Sequence, residues 1–399
     1  MAGLSSFLAL VVGTTLWLTL RDEAYVAPNP SAPTARIQPA PAAALLQALT
    51  TAIRTGDRDA AAALADEDDP EAQAALRALV DNAEAIRLRD VALRYLDELS
   101  GLDPQGEWRA AATLRSRFGQ VDPAAATVEV EVGFAVDAGE VTITGLGGNH
   151  GATPVWLATP VQVRRTRDTL VVATADVDRY SRLAVQAVAV VRRVVPDWDE
   201  PLVLEVPADA RALDAALGAD PGSFATIAGV TSEVPGSSGD DAAVHVFVNP
   251  ARLAESDPIG QQVVISHEAA HVALDATSTG APVWLGEGLA DYVALRDVGL
   301  PISVTAADLI RQVRREGVPT ALPGDREFDE ESDYFGAAYE GAWFACRMLA
   351  RRVGEDALVS FYAEADDAED FDAEFRRTFG LSVAAFTRSW RHHISRLAG

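Results

Sequence analysis

The segments HEAAH, residues 267–271, and WLGEGLADY, residues 284–292, decide how this sequence is interpreted. The residues before 267 place apolar side chains on one side of a helix, and residues 277–282 are typical of a loop in which the chain turns back. Two histidines four positions apart on a helix share one face, about 6 Å apart at the backbone, so both imidazoles reach one metal ion. His267 and His271 are therefore candidate metal ligands.

A catalytic zinc site takes three protein ligands and leaves a fourth position open for water. Glu287, in the second segment, can supply the third ligand. Glu268 lies between the two histidines, so its carboxylate is close to the water in the open position. There it can take the proton of that water as a carbonyl is attacked, and can pass it to the leaving amine. Glu268 therefore favours a hydrolase over a purely structural metal site.

Together the two segments resemble the gluzincin zinc metallopeptidases, whose third ligand is the glutamate of a W-L-x-E-G-x-A-x-Y segment. The resemblance implies Zn²⁺ bound by His267, His271 and Glu287, with a peptide or protein as the substrate. Asp291 follows Glu287 by four residues, as in the thermolysin-like members, where this aspartate accepts a hydrogen bond from a ligating histidine and fixes its tautomer. The alternative for Asp291 is a carboxylate on the helix surface.

A third segment, YEGAWFACRML at residues 339–349, resembles the Y-E-K-G-A-x-x-x-R-M-L helix of aminopeptidase-like gluzincins, with the glycine one place early. The resemblance implies that the Tyr339 hydroxyl stabilises the oxyanion of the tetrahedral intermediate. A packing tyrosine on an amphipathic helix is the alternative, and Tyr334 and Tyr292 are less favoured substitutes. No G-A-M-E-N-like segment precedes residue 267, which argues against aminopeptidase specificity.

The N-terminal region indicates export or anchoring. Residues 4–20 form an uncharged apolar stretch. Its length is near the lower limit for a bilayer span and is long for the core of a signal peptide. Five prolines punctuate residues 24–41, a composition typical of an extended linker. We therefore predict a signal or membrane-anchor segment at 1–21 and a linker at 22–41. The predicted location is outside the cytoplasm, with the protein either anchored in a membrane by residues 4–20 or secreted.

Residues 42–88 show helical periodicity, and the pattern then changes to strands. Period-two alternation or a short apolar run occurs at residues 91–95, 128–132, 141–143, 161–163 and 170–173. Helices followed by a curved antiparallel sheet resemble the NTF2-like (SnoaL-like) fold, and we predict such a domain at 42–177. Its only histidine, His150, lies in a glycine-rich segment that we interpret as a solvated turn, so the domain is predicted to be non-catalytic.

The remaining residues, 178–399, are predicted to form the gluzincin-like metallopeptidase domain. A helix over 178–195 leads into a strand-rich lobe, and the sequence after residue 305 predicts a mostly helical lobe. The strands are predicted at residues 202–206 and 244–248. The predicted fold class is therefore α+β. Three histidines of this domain, His245, His392 and His393, are interpreted as surface residues.

Composition restricts the partners and the chemistry. The net charge of −26 argues against nucleic acid, because binding phosphates needs clustered basic side chains. Cys346 is the only cysteine, so the chain has no internal disulfide, and this residue is predicted to lie in a core. Two functions stay open: a zinc-dependent peptidase, which Glu268 favours, and a catalytically silent metallopeptidase-fold binding module with an NTF2-like ligand or partner domain. An active N-terminal domain with a regulatory peptidase lobe has no residue-level support.

Overall fold

Three helices and an antiparallel sheet open the part of the chain that a computed structural model describes, namely residues 36–329, 332–365 and 370–399. The helices are α1 Pro39–Thr55, α2 Arg58–Ala62 and α3 Pro70–Ile86. The sheet follows in the order β1-β2-β3-β4, with β1 Leu88–Glu98, β2 Glu107–Phe118, β3 Ala126–Asp137 and β4 Glu140–Gly151. Asp57 and Asp69 accept hydrogen bonds from the first-turn backbone of α2 and α3, which explains where those helices begin.

The alternating segments at 91–95, 128–132 and 141–143 are confirmed as parts of strands, whereas β2 was not predicted from the sequence. Trp108 of β2 is buried against Phe134 of β3, with ring centroids 5.3 Å apart, under α1 and α3. His150 lies within β4 rather than in a turn, and its Nε2 is 3.0 Å from the Glu129 carboxylate. The likeness of this region to an NTF2-like domain stays a prediction.

A second sheet has the order β5-β6-β7-β9-β8. Its strands β6, β7 and β9 are parallel, while β5 and β8 are antiparallel to their neighbours. The strands of this sheet, and the helices that precede or connect them, are α4 Val155–Ala158, β5 Gln162–Arg165, β6 Thr169–Ala173, α5 Val177–Val191, β7 Leu202–Val206, α6 Ala210–Leu217, β8 Gly229–Glu233 and β9 Val244–Val248.

Strands β5 and β6 correct the sequence prediction, which placed them in the first sheet. In the structure β5 pairs with β6, and β6 pairs in parallel with β7, so the change of sheet falls before residue 162 rather than after 177. All five residues of β6 are buried, and a strand covered on both faces appears in sequence as a short apolar run. Such a run indicates a buried strand but does not indicate the sheet to which it belongs.

The rest of the described chain is helical. Its helices are α7 Pro250–Glu255, α8 Pro258–Ala273, α9 Val283–Leu295, α10 Ile302–Thr305, α11 Ala307–Glu316, a 3₁₀ turn Asp325–Phe328, α12 Phe335–Val353, α13 Glu355–Ala365, α14 Phe371–Phe379 and α15 Val383–Ala398. The α+β class is confirmed. None of the helices within the described residues is long and apolar enough to cross a membrane. The predicted segment at 1–21 and most of the linker lie outside those residues, and α1 already begins at Pro39.

The interpretation of His245 as a surface residue is wrong. This imidazole is 1% exposed, with Nδ1 2.7 Å from Oε1 of Glu205 on β7 and Nε2 3.0 Å from Oδ1 of Asp122. The physical reason is that β9 has a strand on each side in the sheet, and residues that follow β2 cover His245. Burial disfavours the charged imidazolium, but the charges and hydrogen bonds of Asp122 and Glu205 outweigh it and raise the pKa of His245 to about 9.

The first sheet also contacts the turn between β8 and β9. The amide of Thr127 donates to the carbonyl of Gly236 over 2.9 Å. Gly236 has a positive φ of 82°, and a β-carbon there would lie 2.2 Å from the Thr127 carbonyl oxygen, so this approach needs a glycine. The β8–β9 hairpin is thus held at its turn by β3 and along β9 by Asp122.

Candidate metal centre

Helices α8 and α9 bring together the three residues proposed as metal ligands. The Nε2 atoms of His267 and His271 are 3.0 Å apart. Oε2 of Glu287 lies 3.2 Å from Nε2 of His267 and 3.4 Å from Nε2 of His271. Within the described residues, this is the group of histidine, cysteine and acidic side chains whose ligand atoms converge closely enough to hold a metal ion.

This triangle fits zinc. Bonds of 2.0–2.2 Å in a tetrahedral site place neighbouring ligand atoms roughly 3.3–3.6 Å apart, within a few tenths of an ångström of the separations here, and two imidazoles with one carboxylate are a donor set that catalytic zinc uses. The three side chains are between 12 and 22% exposed, so the group is not sealed from solvent. The residues present therefore match both the ligand chemistry and the open coordination position that zinc catalysis needs.

The surroundings of the triangle are negatively charged. Burial disfavours the charged form of His267, yet Asp291 and Glu287 outweigh burial and raise the pKa of this imidazole well above its ordinary value. Burial also disfavours the Glu287 carboxylate, but hydrogen bonds from His267 and His271 outweigh burial and hold the pKa of Glu287 well below its usual range. Surroundings that attract a proton to an imidazole also attract a divalent cation, which competes with that proton.

Asp291 lies one turn after Glu287 on α9 and faces His267. Its Oδ1 is 2.9 Å from Nδ1 of His267 and, since a carboxylate only accepts, Nδ1 carries the hydrogen. In the neutral imidazole this tautomer leaves the lone pair of Nε2 directed at the other two ligand atoms. Asp291 is therefore a hydrogen-bond partner of a candidate ligand and not a free surface carboxylate.

Glu268 is buried beside the second sheet, with 8% of its surface exposed. One carboxylate oxygen accepts a hydrogen bond of 2.8 Å from the hydroxyl of Thr231 on β8. Helix α8 thus directs His267 and His271 towards α9 and directs the intervening Glu268 towards the edge strand of the sheet.

Tyr339, on α12, completes the group. Its ring centroid lies 6.1 Å from that of His267. Burial and the nearby charges of Glu287, Asp291 and Glu268 raise the pKa of Tyr339 far above its ordinary value, so the hydroxyl remains a hydrogen-bond donor. The two less favoured tyrosines are engaged elsewhere, because the Tyr334 hydroxyl donates to Glu316 and the Tyr292 hydroxyl to Glu355.

A close crossing of α9 and α12 sets the position of Glu287 relative to Tyr339. Gly288 lies at the crossing, where a β-carbon would lie 2.4 Å from the carbonyl oxygen of Ala342 and 2.9 Å from Sγ of Cys346. Cys346 itself is fully buried, as predicted. The glycine after Glu287 therefore permits a backbone approach that a side chain would prevent.

Three residues near the centre were missed from the sequence. Phe328 and Phe335 pack against Tyr339, with ring centroids 5.1 and 5.0 Å from its ring, and form an apolar wall beside it. Thr231 bonds Glu268 from 37 positions earlier in the chain. No spacing rule links these residues to the HEAAH segment, so the sequence carries no signal for them.

Comparisons with known proteins find only solved structures of low similarity. No family model and no curated protein matches the chain. Among solved structures, an M1 zinc metallopeptidase from Deinococcus radiodurans is similar with a TM-score of 0.33 and 15% identity, over 72% of this chain and 61% of that one. Two structures of a mutant two-domain M1 zinc metallopeptidase are each similar with a TM-score of 0.34 and 13% identity. The structure with bound L-tryptophan matches over 72% of this chain and 61% of its own. The structure with bound L-arginine matches over 76% of this chain and 70% of its own. The chain thus spans less than two thirds of the first two structures, and the assignment of the site rests on the geometry described above.

Proposed function

We propose that this chain is a zinc-dependent peptidase that hydrolyses peptide bonds with Glu268 as the general base. The observation that carries the proposal is the convergence of Nε2 of His267, Nε2 of His271 and Oε2 of Glu287 within 3.0–3.4 Å of one another. A buried carboxylate on the residue between the two histidines adds the proton acceptor that a purely structural zinc site does not need.

Zinc, when bound, supplies a Lewis acid that acidifies a water molecule and polarises the carbonyl of the substrate. Glu268 takes the proton of the attacking water and delivers it to the nitrogen of the leaving amine. Tyr339 donates its hydroxyl hydrogen to the oxygen of the tetrahedral intermediate, where negative charge develops. Asp291 holds His267 in the tautomer that keeps Nε2 free to coordinate.

The elements around the centre support a peptide as the substrate. Strand β8 lies at the edge of its sheet within the described residues, so its outer backbone groups are free to align an extended chain. Phe328 and Phe335 add apolar surface beside Tyr339. The proposal keeps the predicted location outside the cytoplasm, and the net charge of −26 again argues against nucleic acid as the partner.

The proposal is tested by measuring metal content by mass spectrometry together with cleavage of a mixed peptide library. Glu268→Gln should keep zinc and lose turnover on the order of 10²–10⁴-fold, the usual contribution of general acid–base catalysis. Glu255→Gln, at an exposed glutamate paired with Arg252, is the matched control and should retain activity. Cleavage that persists unchanged in Glu268→Gln would overturn the mechanism. Zinc binding without any cleavage by the wild type would instead indicate the silent binding module.

A further inference from the structure

Two residues of strand β8 contact Glu268, and both contacts affect the orientation of its carboxylate. The Thr231 hydroxyl lies 2.8 Å from Oε2 of Glu268 and 2.9 Å from the backbone carbonyl oxygen of the same residue. Gly229, two residues earlier and on the same face of the strand, packs against the side chain of Glu268. Strand β8 thus holds the carboxylate of Glu268, although Glu268 itself belongs to helix α8.

The hydroxyl of Thr231 has one hydrogen and two acceptors within reach. The carbonyl of Glu268 lies within α8, where a backbone amide of the helix also serves it. A hydrogen bond to a charged carboxylate is the stronger of the two, so the hydrogen of Thr231 belongs on Oε2 of Glu268. This bond holds Oε2 towards the strand and leaves Oε1 as the oxygen that is free to accept a proton.

Gly229 supplies the space that this orientation needs. A β-carbon at Gly229 would lie 3.0 Å from Cγ and 3.5 Å from Cδ of Glu268, closer than an ordinary contact at the first of these atoms. The residue is buried, and the neighbouring strand β9 fixes its backbone. A side chain at this position would therefore press on Cγ of Glu268, and one of the two would have to shift by a few tenths of an ångström.

We infer that Thr231 and Gly229 are positioning residues, which orient the Glu268 carboxylate so that one of its oxygens faces the reacting water. This inference rests on the proposed peptidase function for its kinetic consequence, but the orientation itself is a property of the structure. It extends the site from the helices α8, α9 and α12 to the edge strand of the sheet. The strand then has a role in proton transfer besides any role in aligning the substrate.

The test compares Thr231→Val, which keeps the shape and removes the hydroxyl, with Thr231→Ser, which keeps the hydroxyl. Loss of a hydrogen bond to a charged group should lower kcat of Thr231→Val roughly 10- to 100-fold. KM, zinc content and Tm should stay close to the wild type, and Thr231→Ser should recover most of kcat. Ser232→Ala is the matched control, because that hydroxyl bonds the Glu233 carbonyl and its side chain points to the other face of β8.

A second variant, Gly229→Ala, should also lower kcat while zinc remains bound. Crystal structures of the zinc-loaded variants provide a readout besides activity, with Glu268 expected in a different rotamer in Thr231→Val and shifted away from the strand in Gly229→Ala. An unchanged Glu268 rotamer, or an unchanged kcat in folded and zinc-loaded Thr231→Val, would overturn the inference. Loss of zinc or of folding in Thr231→Val would also overturn it, by showing a general structural role. Should the wild type cleave no peptide, the proposed function fails while the rotamers still decide the positioning role.

Discussion

Nδ1 of His267 and Oδ1 of Asp291 lie 2.9 Å apart, which ties one candidate metal ligand to a carboxylate on the next helix. His271 differs, because its Nδ1 is buried without a hydrogen-bond partner among the described residues. Orientation by a carboxylate therefore acts on one of the two imidazoles. The strength of the site should depend on Asp291 more than on any other residue that does not itself bind the metal.

Replacing Asp291 by Asn should weaken zinc binding. The amide still accepts a hydrogen bond from His267 but removes the negative charge that favours a cation, and such partners of ligating histidines usually contribute 10–100-fold in metal affinity. Competition with a chelator measures this change. Asp297→Asn is the control, since that carboxylate pairs with Arg193 and Arg296 on the surface. Equal zinc affinity in the two variants would contradict the role given to Asp291.

Removing the hydroxyl of Tyr339 should slow the chemical step. We expect Tyr339→Phe to keep zinc, fold and KM and to lose on the order of 10²–10³ in kcat, the usual loss when one oxyanion donor is removed. Tyr292→Phe is the matched control, because that hydroxyl donates to Glu355. A stability loss in Tyr339→Phe with full turnover of the folded fraction would assign Tyr339 to packing alone.

The crossing at Gly288 should tolerate no side chain. Gly288→Ala places a methyl group against the backbone of Ala342 and should cost about 1–3 kcal/mol of unfolding free energy, with weaker zinc binding as α9 moves. Gly286→Ala provides the control on the same helix, where a β-carbon meets its nearest atom, the Tyr362 hydroxyl oxygen, at 3.6 Å. Chemical denaturation and zinc titration measure both effects. Equal stability of the two variants would refute the role of the close approach.

The buried His245 predicts how stability depends on pH. Its pKa of about 9 is raised above the 6.5 of an exposed histidine, so the stabilisation is fully present below pH 6.5 and is lost as the pH rises through about 9. A shift of this size corresponds to on the order of 3 kcal/mol. In His245→Gln the unfolding free energy should be lower at pH 6.5 and should fall less between pH 6.5 and 9 than in the wild type. His393→Gln, at an exposed histidine, should follow the wild type, and an identical pH dependence in His245→Gln would contradict the assignment.

The parts of this structure that the sequence predicts are those that local geometry determines. The spacing of His267 and His271 places both on one face because helical geometry is fixed within a turn. Strands whose sequence alternates, such as β3 with its valines and glutamates at 128–132, are predicted because side chains along a strand point to opposite faces in turn. The α+β class followed from these local patterns.

The remaining features depend on contacts that are distant in the chain. Strand β2 was missed because its alanines at 110–112 have low strand propensity and gain burial only from β1, β3 and the helices above them. His245 was placed on the surface because its two carboxylate partners lie 40 and 123 positions away. The contact of Thr231 with Glu268 is also distant in the chain, because it forms only when β8 packs against α8.

The proposed function requires that one zinc ion is held by His267, His271 and Glu287. The most direct measurement is the zinc content of the purified chain after exhaustive dialysis, compared with His267→Ala, His271→Ala and the surface control His392→Ala. We expect stoichiometric zinc in the wild type and in His392→Ala, and loss of most zinc in the other two variants, because two ligands alone hold zinc poorly. Stoichiometric zinc in dialysed His267→Ala would contradict this ligand assignment.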